Sequence, residues 1–342
     1  MQRLGKRTSP HPAKRGNDDP VPEGEGIAAL VKVREVSPPV LPTRRLALGR
    51  AWSGERLFPY LMVAPATAIL LLFTLYPTLF NLNASLRDIS VYNFTSGAHR
   101  FIGLRNYEVL WRSAEFWAAT GATMLYVVAS VTIGFLVAFG LALVLQHTPG
   151  LRTLVSPFLL VPLMATPAVV ALAWNQMLVS ELGVVNYLLA QFGLPTPPWL
   201  GATPWPLVTV VLIDVWQHIP FMFFVLLAGL TVLPDEPFEA AAIDGAGAWD
   251  AFRYLTLPLL QPVIMVTLIF RTMNAFTSFD VIYVLTGGAP GTGTEILNLF
   301  LYRKAFKAFE IGQAGAVAVA MVILTALIGV ALIRLMQREE TV

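Results

Sequence analysis

Residues 238–258 read FEAAAIDGAGAWDAFRYLTLP and carry Glu239, Asp244, Asp250 and Arg253 in a chain that otherwise avoids charge. The runs on either side are uncharged over most of their length. The 342 residues are 56% hydrophobic and 13% charged, against about 25% charged for a soluble globular domain. An apolar helix of about 20 residues crosses a bilayer core. The stretch is therefore a folded, water-facing loop between two spans, and the fold class is all-α integral membrane.

Working outward, the hydropathy pattern predicts six transmembrane helices, at about 57–82, 116–145, 153–178, 205–233, 259–285 and 313–336. Residues 51–342 form the transmembrane domain. Residues 1–50 are basic and proline-rich without a sustained apolar period, and are expected to be a mostly disordered tail. They also lack the apolar core of a signal peptide directly behind the basic start. Pro157, Pro162 and Pro167 recur at five-residue spacing in the third run, which predicts an irregular helix. In the second run Gly134 and Gly140 permit close helix packing. Trp199 and Trp205 are placed as interface anchors.

Six spans put both ends on one side. With the ends inside, the inner segments hold about 15 Lys and Arg and the outer ones about 7, so the positive-inside rule makes 238–258 and both termini cytoplasmic. Arg303, Lys304 and Lys307 run against that rule and read as an outer surface feature for a partner.

Several chemistries are excluded. Net charge is +2 and there is no cysteine, which leaves no polyelectrolyte basis for nucleic acid, no disulfide and no thiolate catalysis. Four scattered histidines lack metal-ligand spacing. The glycine-rich GGAPGTGT at 287–294 has no Lys after its last glycine and so is no phosphate loop. It reads as an outer turn that meets a delivery protein.

Within 238–258 the smooth face of Ala240, Ala241 and Ala242 follows Glu239, which sits near a positive helix N-terminus. Gly245 and Gly247 allow a sharp turn, and Pro258 closes the segment. Trp249, Phe252 and Leu255 make an apolar stripe, which equally suits an amphipathic connector lying flat on the membrane. Polar groups inside spans are Asp214, Gln217 and His218 on the fourth and Arg271, Asn274 and Asp280 on the fifth. They serve as interhelical glue or bind a sugar through Asn274 and Asp280, with Phe276, Phe279 and Tyr283 stacking on it. Trp174, Asn175 and Trp216 could complete such a site. Arg271 is the only charge inside a span that could serve an anion. A secondary transporter using Asp214, His218 or Asp280 for protons is the competing class, but no internal repeat supports it.

The pattern Glu239-Ala240-Ala241, Asp244-Gly245-Ala246, Leu255-Thr256-Leu257-Pro258 resembles the EAA loop of permease subunits of binding-protein-dependent ABC importers. Leu255 stands where isoleucine is more usual. Residues 101–107 (FIGLRNY), Ser278-Phe279-Asp280, Thr286-Gly287-Gly288 with Pro290, and Tyr302, Ala305 and Phe306 are similar to the maltose-permease-like carbohydrate branch. The resemblance covers about 55–335. It implies a permease that pairs with a second, similar permease, the loops of the two inserting into clefts on two ATPase subunits, which carry the ATP and Mg and all the enzymatic activity. An extracytoplasmic binding protein delivers the cargo. The cargo implied is a di- or oligosaccharide, with a polyol, a sugar sulfonate or glycerol 3-phosphate as alternatives. Glu239, Ala240, Ala241, Asp244, Gly245, Ala246, Leu257 and Pro258 would serve coupling, not catalysis.

Overall fold

The computed structural model describes residues 54–94, 96–97 and 99–339. The tail expected at 1–50 lies outside the described residues. Twelve helices are labelled here: α1 (Gly54–Ser85), α2 (Arg105–Arg112), α3 (Ala114–Gln146), α4 (Pro149–Met164), α5 (Pro167–Met177), α6 (Val184–Gln191), α7 (Trp205–Thr231), α8 (Glu236–Ile243), α9 (Ala248–Phe276), α10 (Asp280–Leu285), α11 (Leu297–Tyr302) and α12 (Ile311–Glu339). A two-stranded antiparallel ribbon, β1 (Arg87–Asp88) with β2 (Arg100–Phe101), pairs Arg87 with Phe101.

Among the described residues α1, α3, α7, α9 and α12 are long and apolar enough to span a membrane, and α4 with α5 meets the same length and composition only as a pair bent by 100°, a broken span or a re-entrant loop. The sequence predicts one irregular helix there, and the structure breaks it at Ala165–Thr166. Pro167 opens α5, and Thr166 before it is extended at ψ 141°. A residue preceding proline is pushed out of the helical region by the proline ring, so the third proline ends the helix, whereas Pro157 and Pro162 stay inside α4.

The fifth span also departs from expectation. Its helix starts at Ala248, runs through Pro258 and stops at Phe276, and residues 277–279 separate it from α10. Pro258 therefore does not close the preceding segment. A π-helical turn at Phe252–Thr256 widens the helix just before it, with Leu257 N–H bonded to the Phe252 carbonyl. A helical proline collides with the carbonyl four residues back, and a wide turn relieves that collision.

α7 is the central helix, with α3, α4 and α9 packed on it. Phe139 and Ala142 of α3 meet Met222, Phe223, Leu226 and Leu230 of α7 and Leu260 of α9. Lipid is as apolar as these side chains, so close packing holds them together more than exclusion from water does. Gly134 bears this out, since a Cβ there would sit 2.6 Å from Met222 Cε, whereas at Gly140 nothing lies within 4 Å.

The 101–107 motif ties the end of α1 to its neighbours. Buried Asn106 donates to the Ser85 and Arg87 carbonyls at 2.8 and 2.9 Å, and Tyr107 Oη meets Ser85 Oγ at 2.7 Å. These bonds satisfy carbonyls that a helix end otherwise leaves open. Gly312 passes the same spot, and a Cβ there would strike the Arg87 carbonyl and lie 3.0 Å from Asn106 Nδ2. Gly312→Ala is expected to lower the thermal midpoint in detergent by roughly 3–10 °C. Gly140→Ala, with open space around it, should leave the midpoint unchanged or raise it.

Candidate functional site

Three groups of residues are available for function: the loop before α9, a polar cluster at mid-span, and a groove beside α9 and α11.

In the loop, Glu236 and Glu239 lie in the first turn of α8, where a helix N-terminus favours negative charge. α8 ends in a Schellman motif. Ala246 N–H bonds to the Ala241 carbonyl at 2.9 Å and Gly245 N–H to that of Ala242 at 3.2 Å, and Gly245 has φ +81°. That left-handed position favours glycine. Gly247 N–H donates to Asp250 Oδ2 at 3.3 Å, starting the next helix. Glu239, Ala240, Ala242, Asp244, Gly245 and Ala246 are exposed, and so are the apolar Ile243 (87%) and Trp249 (68%). Phe252 turns inward, 6.2 Å from the Phe139 ring and 5.6 Å from that of Trp249. Leu257 is half-buried and Pro258 exposed. A cavity of about 560 Å³ lies beside α8, lined by Gln146, His147, Asp235, Phe238, Phe252 and Thr256 among others. Of the stripe foreseen at Trp249, Phe252 and Leu255, Phe252 anchors the start of α9 and Trp249 stays exposed, while α8 presents an unpacked outer surface.

At mid-span, Arg271 of α9 and Asp214 of α7 form an ion pair through Nη2 and Oδ2, each 1% exposed. His218 Nδ1 lies 3.2 Å from Asp214 Oδ1 and 2.9 Å from the Asp214 carbonyl. Arg271 Nη1 donates to Asn274 Oδ1 at 3.3 Å. Gln217 Nε2 donates to the Ala165 carbonyl at 3.1 Å, at the break between α4 and α5. Tyr126 of α3 donates to Ser278 Oγ at 3.0 Å. Asp214, Gln217 and Arg271 therefore act as interhelical glue. Sequence spacing pairs Asp214 with His218 but gives no sign of Arg271, 57 positions away.

The eight candidate cargo residues do not line one cavity. Trp174 and Trp216 meet edge to face at 5.6 Å and line an apolar cavity of about 210 Å³. Asn175 Nδ2 donates to the Leu285 carbonyl at 3.4 Å. Phe276 is 3% exposed and belongs to the core. Asn274, Asp280 and Tyr283 are exposed, and Asp280 starts α10. Phe279 and Tyr283 stack at 5.2 Å, and both meet the Tyr302 ring, at 5.3 and 5.2 Å. Phe306 continues the series 5.3 Å beyond Tyr302. Phe279, Tyr302 and Phe306 line a groove of about 230 Å³, which adjoins a groove of about 510 Å³ through the shared Thr277, Asn298 and Leu301. Asn298 Nδ2 holds the Phe276 and Ser278 carbonyls at 2.9 and 3.0 Å, fixing the break after α9. No sequence spacing gave Asn298 a role.

The basic cluster near α11 is largely paired within the chain. Arg303 bridges Glu115 at 3.1 Å and Glu295 at 2.7 Å, and Lys304 meets Glu310 at 2.7 Å. Burial raises the Glu295 carboxyl above its usual range more than Arg303 lowers it. The 287–294 turn is knitted by Thr286 Oγ1 and Thr294 Oγ1 at 2.7 Å and by Thr294 Oγ1 donating to the Ala289 carbonyl at 3.0 Å.

Removing one member of the buried pair strands the other charge. Asp214→Ala should cost about 3–5 kcal/mol, whereas Asp214→Leu with Arg271→Met should stay within about 1 kcal/mol of wild type. Thermal unfolding in detergent distinguishes the two, and equal losses would show that pairing is not what the site needs.

Residues 130–339 match the family model described as binding-protein-dependent transport system inner membrane component. The chain is 35% identical to the trehalose/maltose transport system permease protein MalF of Thermococcus litoralis, over 75% of this chain and 84% of that one. It is 32% identical to the sulfoquinovosyl glycerol transport system permease protein SmoG of Agrobacterium fabrum, over 84% and 92%. Its fold resembles a chain of a bacterial alginate ABC transporter crystallised with an alginate pentasaccharide-bound periplasmic protein, with a TM-score of 0.72 at 24% identity, covering 83% of this chain and 96% of that one. A helical membrane architecture, a family match over most of the chain and relatives matched along most of their length agree, and the chain belongs to the inner-membrane permeases of binding-protein-dependent ABC importers.

Proposed function

We propose that this permease carries an uncharged di- or oligosaccharide, delivered by an extracytoplasmic binding protein and driven by two separate ATPase subunits. The observation that carries the choice of cargo is the sequestration of Arg271. The one charge that could have served an anion inside a span is buried against Asp214, so an anionic cargo gains nothing from it. The carbohydrate relative supports a sugar, and the rings of Phe279, Tyr283 and Tyr302 offer faces for the apolar side of a sugar ring. The sulfoquinovosyl glycerol relative favours a second reading, an anionic sugar derivative, which the uptake measurement below separates from the first.

In this reading Glu239, Ala240, Ala241, Asp244, Gly245 and Ala246 form the surface that enters an ATPase cleft. The exposure of all of these but the half-buried Ala241, with Ile243 and Trp249 bare beside them, supports docking over a segment that serves only as a connector. Leu257 and Pro258 lie in the same helix as that surface's second half, so movement of the loop is passed to α9 as a lever. A second, homologous permease covers α1, whose residues 64–83 are exposed throughout. The positive-inside bias puts the termini and the loop in the cytoplasm, and the 287–294 turn meets the binding protein on the opposite face.

Glu239→Lys and Gly245→Asp are each expected to weaken copurification of the ATPase chain about 30-fold, the effect of losing ~2 kcal/mol at an interface hot spot. Both should abolish uptake of radiolabelled trehalose or maltose into vesicles, while wild-type uptake survives collapse of the proton gradient. Uptake that continues without ATPase and fails with the gradient refutes the proposal. Preference for sulfoquinovosyl glycerol over both disaccharides favours the second reading.

The absence of cysteine allows a direct check of the pathway. A single cysteine replacing Asn274 should react with a membrane-impermeant thiol reagent in the assembled complex. One replacing Phe276 should not.

A further inference from the structure

We infer that Arg271 is a positioning residue. Pinned by Asp214, it takes the side-chain carbonyl of Asn274 and leaves that residue's amide N–H groups as what the site offers to cargo. The inference rests on the reading of Asn274 as a sugar contact.

The argument starts from donor and acceptor capacity. A guanidinium has five N–H donors and no acceptor. The Asn274 atom that meets Arg271 Nη1 at 3.3 Å is therefore its oxygen, and the amide nitrogen takes the other direction. Arg271 cannot turn to relax this arrangement. Its Nη2 is held by Asp214, both side chains are 1% exposed, and Asp214 is itself held at Oδ1 by His218. The planar fork fixes the second arm once the first is bound. The Asn274 main-chain carbonyl is engaged as well, accepting from Thr277 Oγ1 at 2.9 Å. The exposed side of Asn274 thus presents two donors. Such a group recognises an acceptor oxygen, a hydroxyl or a ring or glycosidic oxygen of a sugar. It discriminates against an analogue lacking that oxygen, because a donor is then left unpaired.

The test uses the complete complex in proteoliposomes with its own binding protein. The probes are radiolabelled trehalose and maltose and their monodeoxy analogues. Selectivity is read as uptake of the parent sugar over each analogue. The binding protein contributes equally to every variant, so ratios between variants cancel it. Wild type should disfavour at least one monodeoxy analogue by about tenfold, one hydrogen bond's worth of discrimination. Asn274→Ala and Arg271→Lys should each bring that ratio to within about twofold of unity, and the double variant should go no further, since both act through one bond. Lysine keeps the charge opposite Asp214 but lacks the second arm of the fork. Should Arg271→Lys fail to assemble, Asp214→Leu with Arg271→Met removes the guanidinium without stranding a charge, and the same loss of selectivity is expected. A merely structural Arg271 would lower uptake of every sugar alike and leave the ratios at the wild-type value.

Wild-type selectivity in Arg271→Lys alongside lost selectivity in Asn274→Ala overturns the positioning role alone. Wild-type selectivity in Asn274→Ala, no discrimination in wild type, or no uptake of either sugar by wild type removes the sugar-contact reading and the inference with it.

Discussion

A charged side chain inside a membrane span is costly, up to about 2.5–3.5 kcal/mol for an arginine at a helix centre on insertion scales, and it persists where a partner neutralises it in place. Asp214 does so for Arg271, and much of the bundle's middle is arranged around that pair. The pair joins α7, the central helix, to α9. Through His218 it holds one turn of α7, and through Asn274 it reaches the exposed side of α9. Tyr126 and Ser278 add α3 and the break after α9. Gln217 adds the bend between α4 and α5.

The same helix extends the other way to the exposed loop. α9 runs unbroken from Ala248 to Phe276, about 40 Å at 1.5 Å per residue. Its π-helical turn lets Pro258 lie inside a continuous helix instead of ending one. Phe252, packed towards Phe139, seats this end on α3. The chain thus places an exposed, unpacked surface at one end of a long continuous helix. The other end carries a clamped arginine, Asn274 and, beyond the break, the rings of Phe279, Tyr283 and Tyr302.

Features set by local pattern were legible in the sequence. Apolar runs marked the long helices, though the fifth helix begins at Ala248 and ends at Phe276 where its run suggested 259–285, and the pattern around Glu239 and Gly245 pointed to the family. The left-handed turn at Gly245 follows from a glycine placed just past a short helix. Features set by contact across the fold were not legible. Nothing near Arg271 names Asp214 as its partner. Three evenly spaced prolines suggested general irregularity; the chain breaks at the residue before Pro167, and the packing of α5 against α10 and Gln217 against Ala165 surrounds that bend. The basic residues at 303–304 looked like a partner surface because their acids, Glu115, Glu295 and Glu310, are brought to them by folding. Asn106, quoted only as part of a motif, proved to close the end of α1.

The central claim is that α9 moves as a rigid lever between the loop and the cargo face. Because the chain has no cysteine, spin labels can be placed at Trp249→Cys and Met273→Cys alone, 24 residues and about 36 Å apart. Their distance, read by pulsed electron resonance in the assembled complex, should stay the same within about 2 Å between nucleotide-free and ATP-trapped states. The distance from Met273→Cys to a label on the second permease should change between the same states. A shortening within α9 of more than about 5 Å, one helical turn, would mean that the π-helical turn is a hinge and that the lever does not exist.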